Sequence, residues 1–210
     1  MDKIQDVSVE PMTKSNFVHP YRMHYKQNGR KKIWDLVMQH ESVAIIIYNT
    51  DIKKMIFVRQ FRPAVYFSNV RQVDPDCKSV DTTKFPGDSG FTLELCAGIH
   101  DKDQSLLHDA KDEVLEECGY DVPLEKFEKV ITYRSGVGVT GDLATLFYVE
   151  VTNDMKLASG GGLEDEGEMI DVVEMSIPEV RALLQKDQVP SPGGFLFGIM
   201  WFLQNKAPKE

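Results

Sequence analysis

The stretch from Gly98 to Tyr120, GIHDKDQSLLHDAKDEVLEECGY, puts three glutamates on a helix at the edge of its apolar face. Stepping about 100° per residue, Leu106, Leu107, Ala110, Val114 and Cys118 form one apolar arc, and Gly119 supplies the stop. Glu113 and Glu117 are one turn apart with Glu116 beside them, so all three carboxylates project from one face. They border the arc and do not oppose it, which places them at the wall of a cleft. Like charges this close destabilise an isolated helix. A cation held between them reverses that sign, and carboxylate oxygens are the donors Mg²⁺ prefers. Periodicity alone leaves a second reading open, a surface helix with a solvated acidic stripe.

The rest of the chain alternates strands and helices. Ser42 to Tyr48 and Met55 to Gln60 are short β-rich runs separated by Asn-Thr-Asp and read as a hairpin; Phe91 to Cys96 is a third strand leading into Gly98. Phe127 to Tyr133, Leu146 to Val151 and Met169 to Val173 are further strands. Ser176 and Glu179 have capping-box spacing around Pro178, which predicts a helix to about Lys186, and Gly193 to Gln204 predicts an apolar one. Residues 67–90, rich in Asp, Pro and Ser, read as an inserted, mobile loop. The expected organisation is an N-terminal extension, 1–41, and one α/β domain, 42–210, carrying that insertion.

A formal charge of −9 argues against a broad nucleic-acid or acidic-membrane footprint. No apolar stretch reaches spanning length, and the first residues, MDKIQDVSVEP, lack a signal-peptide core, so the expectation is a cytoplasmic protein. Cys77, Cys96 and Cys118 are widely spaced and read as reduced thiols, two of them in the core.

The Gly98–Tyr120 string resembles the Nudix box, in which Gly, a glutamate six residues on, and Arg-Glu-apolar-x-Glu-Glu-x-Gly-apolar recur in fixed register. Gly98, Glu113, Val114, Glu116, Glu117, Gly119 and Tyr120 match. Gln104 stands where the family has Glu and Asp112 where it has Arg, two residues that brace the loop–helix–loop; Lys111 is a candidate for the displaced cation. VRQFRPAVY (58–66), ELCAG (94–98), TYRSGVGVTGD (132–142), GGGLEDEGEMIDVVE (160–174) and FGIMWFL (197–203) extend the resemblance over roughly Trp34 to Leu203. They are similar to the nucleoside-diphosphate-sugar branch of the Nudix family, which contains the ADP-ribose and UDP-sugar pyrophosphatases.

The resemblance implies an α/β/α sandwich around a mixed sheet, a homodimer, and Mg²⁺-dependent hydrolysis of a nucleotide sugar, with Mn²⁺ as a substitute. UDP-glucose, giving UMP and glucose 1-phosphate, is the leading substrate and ADP-ribose the alternative. The third reading is a binding protein that has lost turnover. By the same resemblance Glu113, Glu116, Glu117 and the Ala97 carbonyl hold metal, and Glu168 is the general base with Glu166 as runner-up. Arg62 contacts the diphosphate, with a surface salt bridge as the plain alternative; Trp34 stacks on the base or packs under the N-terminal segment. Arg134, Ser135, Gly136 and Gly138 line the substrate pocket, and Glu94 either orients the metal ligands or pairs with Arg62.

Overall fold

The computed structural model describes residues 3–15, 18–101 and 103–208, with the backbone but not the side chain of Glu166. A hairpin, β1 (His19–Gln27) and β2 (Arg30–Met38), stands apart from the main sheet and turns on Asn28 and Gly29, both at positive φ. The main sheet has seven strands: β3 (Ser42–Asn49), β4 (Lys54–Phe61), β5 (Phe91–Glu94), β6 (Cys96–Ile99), β7 (Glu128–Arg134), β8 (Leu143–Val151) and β9 (Ile170–Ser176). It is mixed, since β3 runs parallel to β8 and antiparallel to β4 and β6.

β3 reads as an almost unbroken apolar run because both its faces are covered. Val43, Ile45 and Ile47 face α2 (Leu106–Cys118) through Ala110, Val114 and Cys118. Ile46 and Tyr48 face the opposite layer, α3 (Ile177–Leu183) and α4 (Gly193–Asn205), through Val180, Phe195, Ile199 and Phe202. The result is an α/β/α sandwich, as expected.

The β3–β4 ladder lasts only from Ile47↔Ile56 to Asn49↔Lys54 before the strands part. β4 then continues with β5 and β9, and β3 with β6 and β8. One strand was expected from Phe91 to Cys96; the structure breaks it at Leu95, where the chain changes partner from β4 to β3. The opening between the diverging strands is where the acidic helix lies.

Two further differences concern helices. Residues 67–90 do not begin as a loop: α1 (Pro63–Val73) starts on Pro63 and buries Tyr66 and Val70 against Val80. Tyr66 and Val70 are one turn apart, a short signal that the Asp, Pro and Ser of the following turns obscure. Val7 and Val9 exchange backbone hydrogen bonds with Lys78 and Val80, so the N-terminal segment covers this region. The helix capped by Ser176 and Glu179 ends at Leu183, short of Lys186.

Candidate active site

Ser105 caps α2, accepting the His108 N–H, and Gly119 closes it at φ 79°. The apolar arc packs on the sheet as its spacing requires, which drives Glu117 to 2% exposure. The Ala97 N–H on β6 donates to Glu117 Oε2 at 2.9 Å. Glu113 crosses the strand at Gly98 so closely that a Cβ there would fall 1.8 Å from Glu113 Oε1. That contact is the reason for glycine at this position.

Glu113, Glu116, Glu117 and Glu168 share one cavity of about 420 Å³, with Ser42, Gln60, Arg62, Ala97 and Gly98 also in its wall. Burial, with repulsion from Glu113 and Glu168 added, raises the Glu117 pKa to about 8 against the Ala97 hydrogen bond, which lowers it. Among the described residues no three His, Cys, Asp or Glu side chains form a ready-made cation cage. Four glutamates in one cavity, one of them 2% exposed, still fit a hard divalent ion, since Mg²⁺ keeps several waters and takes one or two carboxylates plus substrate phosphates.

Glu168 reaches the cavity because its loop is tied to α2. The N–H groups of Gly161 and Gly162 donate to the carbonyls of Glu117 (2.9 Å) and Glu116 (3.1 Å), ends that a helix otherwise leaves unpaired. Gly160, at φ 74°, lies so near the Glu117 carbonyl that a Cβ would meet it at 2.3 Å. Within the loop Leu163 N–H donates to Glu168 Oε2 at 2.9 Å. The side chain of Glu166, the other glutamate expected here, lies outside the described residues.

Arg62 projects at the cavity rim from the end of β4 and is held by Glu94 through Nε and Nη2, both at 2.8 Å. Glu94 is 7% exposed; burial works to raise its pKa, but the Arg62 guanidinium and the Thr92 hydroxyl bring it below the ordinary carboxylate value. Of the two roles open to Glu94, the pairing with Arg62 is the one observed.

The remaining residues lie elsewhere in the chain. Trp34 is half-exposed on β2, and its Nε1 donates to the Gly138 carbonyl at 2.8 Å. Arg134 and Ser135 line a second cavity of about 470 Å³ with Tyr133 and Phe197, and Gly136 makes its turn at φ 49°. Neither Trp34 nor the 134–138 loop contributes to the carboxylate cavity. Lys111 is no displaced brace, since it pairs with Asp121 at 2.8 Å. The residues sequence reasoning missed are Ser42, Gln60, Ile99, Asp101 and Leu163 in the wall and the Gly160–Gly162 cap. Three consecutive glycines before the acidic loop were the available signal for that cap.

No protein-family model matches the chain. It is 38% identical to the uridine diphosphate glucose pyrophosphatase of Bos taurus over 99% of its own length and 98% of the relative's. The Mus musculus protein of that name is 36% identical over the same shares. A GDP-mannose pyrophosphatase of Cronobacter sakazakii is 30% identical over 71% of this chain and 65% of its own. Among solved structures, an ADP compounds hydrolase superposes with TM-score 0.64 at 14% identity, covering 99% of this chain and 98% of that one. The chain belongs to the Nudix hydrolase family, in its nucleoside-diphosphate-sugar branch.

Proposed function

We propose that the protein hydrolyses the diphosphate of a nucleoside diphosphate sugar, UDP-glucose first among them, to UMP and glucose 1-phosphate. The observation that carries this is one cavity joining Glu113, Glu116, Glu117 and Glu168 with Arg62 at its rim. Full-length similarity to a uridine diphosphate glucose pyrophosphatase supports the choice of substrate.

In this reading Glu113, Glu116, Glu117 and the Ala97 carbonyl hold Mg²⁺, with Mn²⁺ able to replace it. The ion supplies charge neutralisation for the diphosphate and a lowered pKa for water. Arg62, fixed by Glu94, takes a phosphate oxygen through its outward N–H groups. Glu168 lies outside the helix that supplies the ligands and accepts the proton of the attacking water. Its loop, tied to the α2 carbonyls, holds the carboxylate in the same cavity as the three helical glutamates. Glu166 is the alternative base. The full acidic set speaks against a binding protein without turnover.

Trp34, Arg134, Ser135, Gly136 and Gly138 do not line their own chain's carboxylate cavity, and the reading includes a homodimer in which they face the partner's. Tyr21, Met23 and Ile33 on the hairpin are half-exposed and give it an apolar surface for such a contact. Among the described residues no helix is long and apolar enough to cross a membrane, and the three cysteines are unpaired, which supports a cytoplasmic setting.

The test is incubation of purified protein with Mg²⁺ and, separately, UDP-glucose, ADP-ribose and GDP-mannose, followed by product separation. UMP and glucose 1-phosphate should form fastest. Faster AMP release from ADP-ribose would keep the chemistry and change the substrate. No product from any of them, with folded protein, would refute the enzyme reading.

A further inference from the structure

Gln104 and Asp112, the two departures from the box pattern, contact each other through a network of their own. Gln104 Nε2 donates to Asp109 Oδ1 at 2.7 Å and to Asp112 Oδ2 at 3.0 Å, so both hydrogens of one amide are used on two carboxylates of α2. The second oxygen of Asp109 lies 2.6 Å from His100 Nδ1. Asp109 is 3% exposed and sits in the first turn of the helix. A carboxylate that buried must find donors, and every partner observed for it comes from the short loop between β6 and α2. Two acidic residues three apart on a helix also repel, and the amide stands between them.

The register of these contacts matters. Asp109 precedes Glu113 by four residues and Asp112 precedes Glu116 by four, so all four share one face of α2. Fixing the first pair fixes the rotation of the helix that presents the second. The far end is fixed by the Ala97 N–H on Glu117, and the clearance between is small, since Glu113 already touches the backbone at Gly98. None of His100, Gln104, Asp109 and Asp112 lines the carboxylate cavity.

We propose that these four residues form a polar clamp that sets α2 against β6 and so positions Glu113 and Glu116, a brace with its donor on the loop and its acceptors on the helix. They are positioning residues for the hydrolysis, and this role rests on the function proposed above. The polarity explains why the two departures occur together. A carboxylate at 104 would face Asp109 and Asp112 without the two amide hydrogens they accept, whereas an amide satisfies both.

Gln104→Glu tests the clamp with little change in volume. Because sub-ångström placement governs such chemistry, kcat on the nucleotide sugar should fall at least tenfold with KM within about threefold, and amide exchange over residues 99–105 should quicken. Gln104→Glu/Asp112→Arg puts a donor back between the carboxylates and should return kcat to within about threefold of the parent, with slow exchange restored. Gln104→Met, which removes the amide without adding charge, replaces the single variant if the glutamate prevents folding. A single variant with parental kcat and exchange, or a double variant no better than the single, overturns the proposal. So does a lowered melting temperature with kcat unchanged, which would make the network structural only. If the parent turns over none of these substrates, the functional reading falls alone. The clamp is then judged by the exchange rates and by Mn²⁺ affinity from electron spin resonance across the same variants.

Discussion

In chelator-treated protein, Glu117 keeps a proton that water would have removed. Burial raises its pKa from the ordinary 4.5 to about 8, with repulsion from Glu113 and Glu168 added. Between those two values the native state binds more protons than the unfolded chain, so stability falls as pH rises. The slope is at most about 1.4 kcal/mol per pH unit, which makes the loss from this one side chain about 3–4 kcal/mol between pH 5 and pH 8. Glu117→Gln keeps the shape and the acceptor for the Ala97 N–H but does not titrate. The variant should therefore gain on the parent by that amount across the interval, roughly 10 °C in unfolding midpoint for a chain of this size. Unfolding in EDTA at half-unit pH steps reads it directly. Saturating Mg²⁺ at pH 8 should then raise the parent by more than the variant, and the variant should show no turnover. Parallel pH profiles for the two proteins would refute the claim that Glu117 is a strained, buried acid; unchanged turnover would remove it from the site.

Gly98→Ala forces a methyl group into the Glu113 carboxylate and should lower kcat at least a hundredfold while circular dichroism stays parental. Arg62→Ala leaves Glu94 buried without its partner and should cost roughly 2–3 kcal/mol in urea unfolding, most of it recovered in Arg62→Ala/Glu94→Gln, where activity stays low. Glu168→Gln should reduce kcat by about a hundredfold to ten-thousandfold with Mn²⁺ affinity nearly unchanged, as expected of a base and not of a ligand. Gly160→Ala, at a positive φ against the Glu117 carbonyl, should loosen the loop and depress kcat in the same way, visible as faster amide exchange over 160–168.

The parts of this fold that were legible in the sequence are those set by local pattern. The 3.6-residue period marked the apolar face of α2 and Gly119 its end, the Ser176–Glu179 spacing marked the start of α3, and the apolar runs marked β3 and β4. What the sequence hid depends on partners far along the chain. The break at Leu95 exists because β3 and β4 diverge, a property of neither strand alone. α1 fully buries only Tyr66 and Val70, too short a period to read. At the site, the carboxylates followed from their spacing, while the Arg62–Glu94 pair, 32 residues apart, stayed one of two readings until the β4–β5 ladder laid the two strands side by side, with Glu94 opposite Val58 and within reach of the Arg62 side chain. Trp34 and Arg134 could be named from the resemblance, but where they face is decided by tertiary packing, and within this chain they do not line the carboxylate cavity.

The placement of the glutamates runs against what a helix prefers. Carboxylates favour the N-terminal end of a helix dipole, yet Glu113, Glu116 and Glu117 occupy the C-terminal half of α2, with no basic residue in its last turn. Local rules would push them into solvent. They are held by tertiary forces instead: Ala110, Val114 and Cys118 are fully buried beside them, Ala97 N–H grips Glu117, and the Gly161 and Gly162 N–H groups satisfy the very carbonyls whose negative ends would otherwise add to the repulsion. The sheet core thus maintains a concentration of like charge that the helix alone would not tolerate. A group kept protonated by burial, with that crowding added, becomes an acceptor for a divalent ion as soon as the ion displaces the proton, so cation uptake at neutral pH must release protons. Calorimetry of Mg²⁺ binding in buffers of different ionisation enthalpy should find close to one proton released at pH 7 by the parent and none by Glu117→Gln.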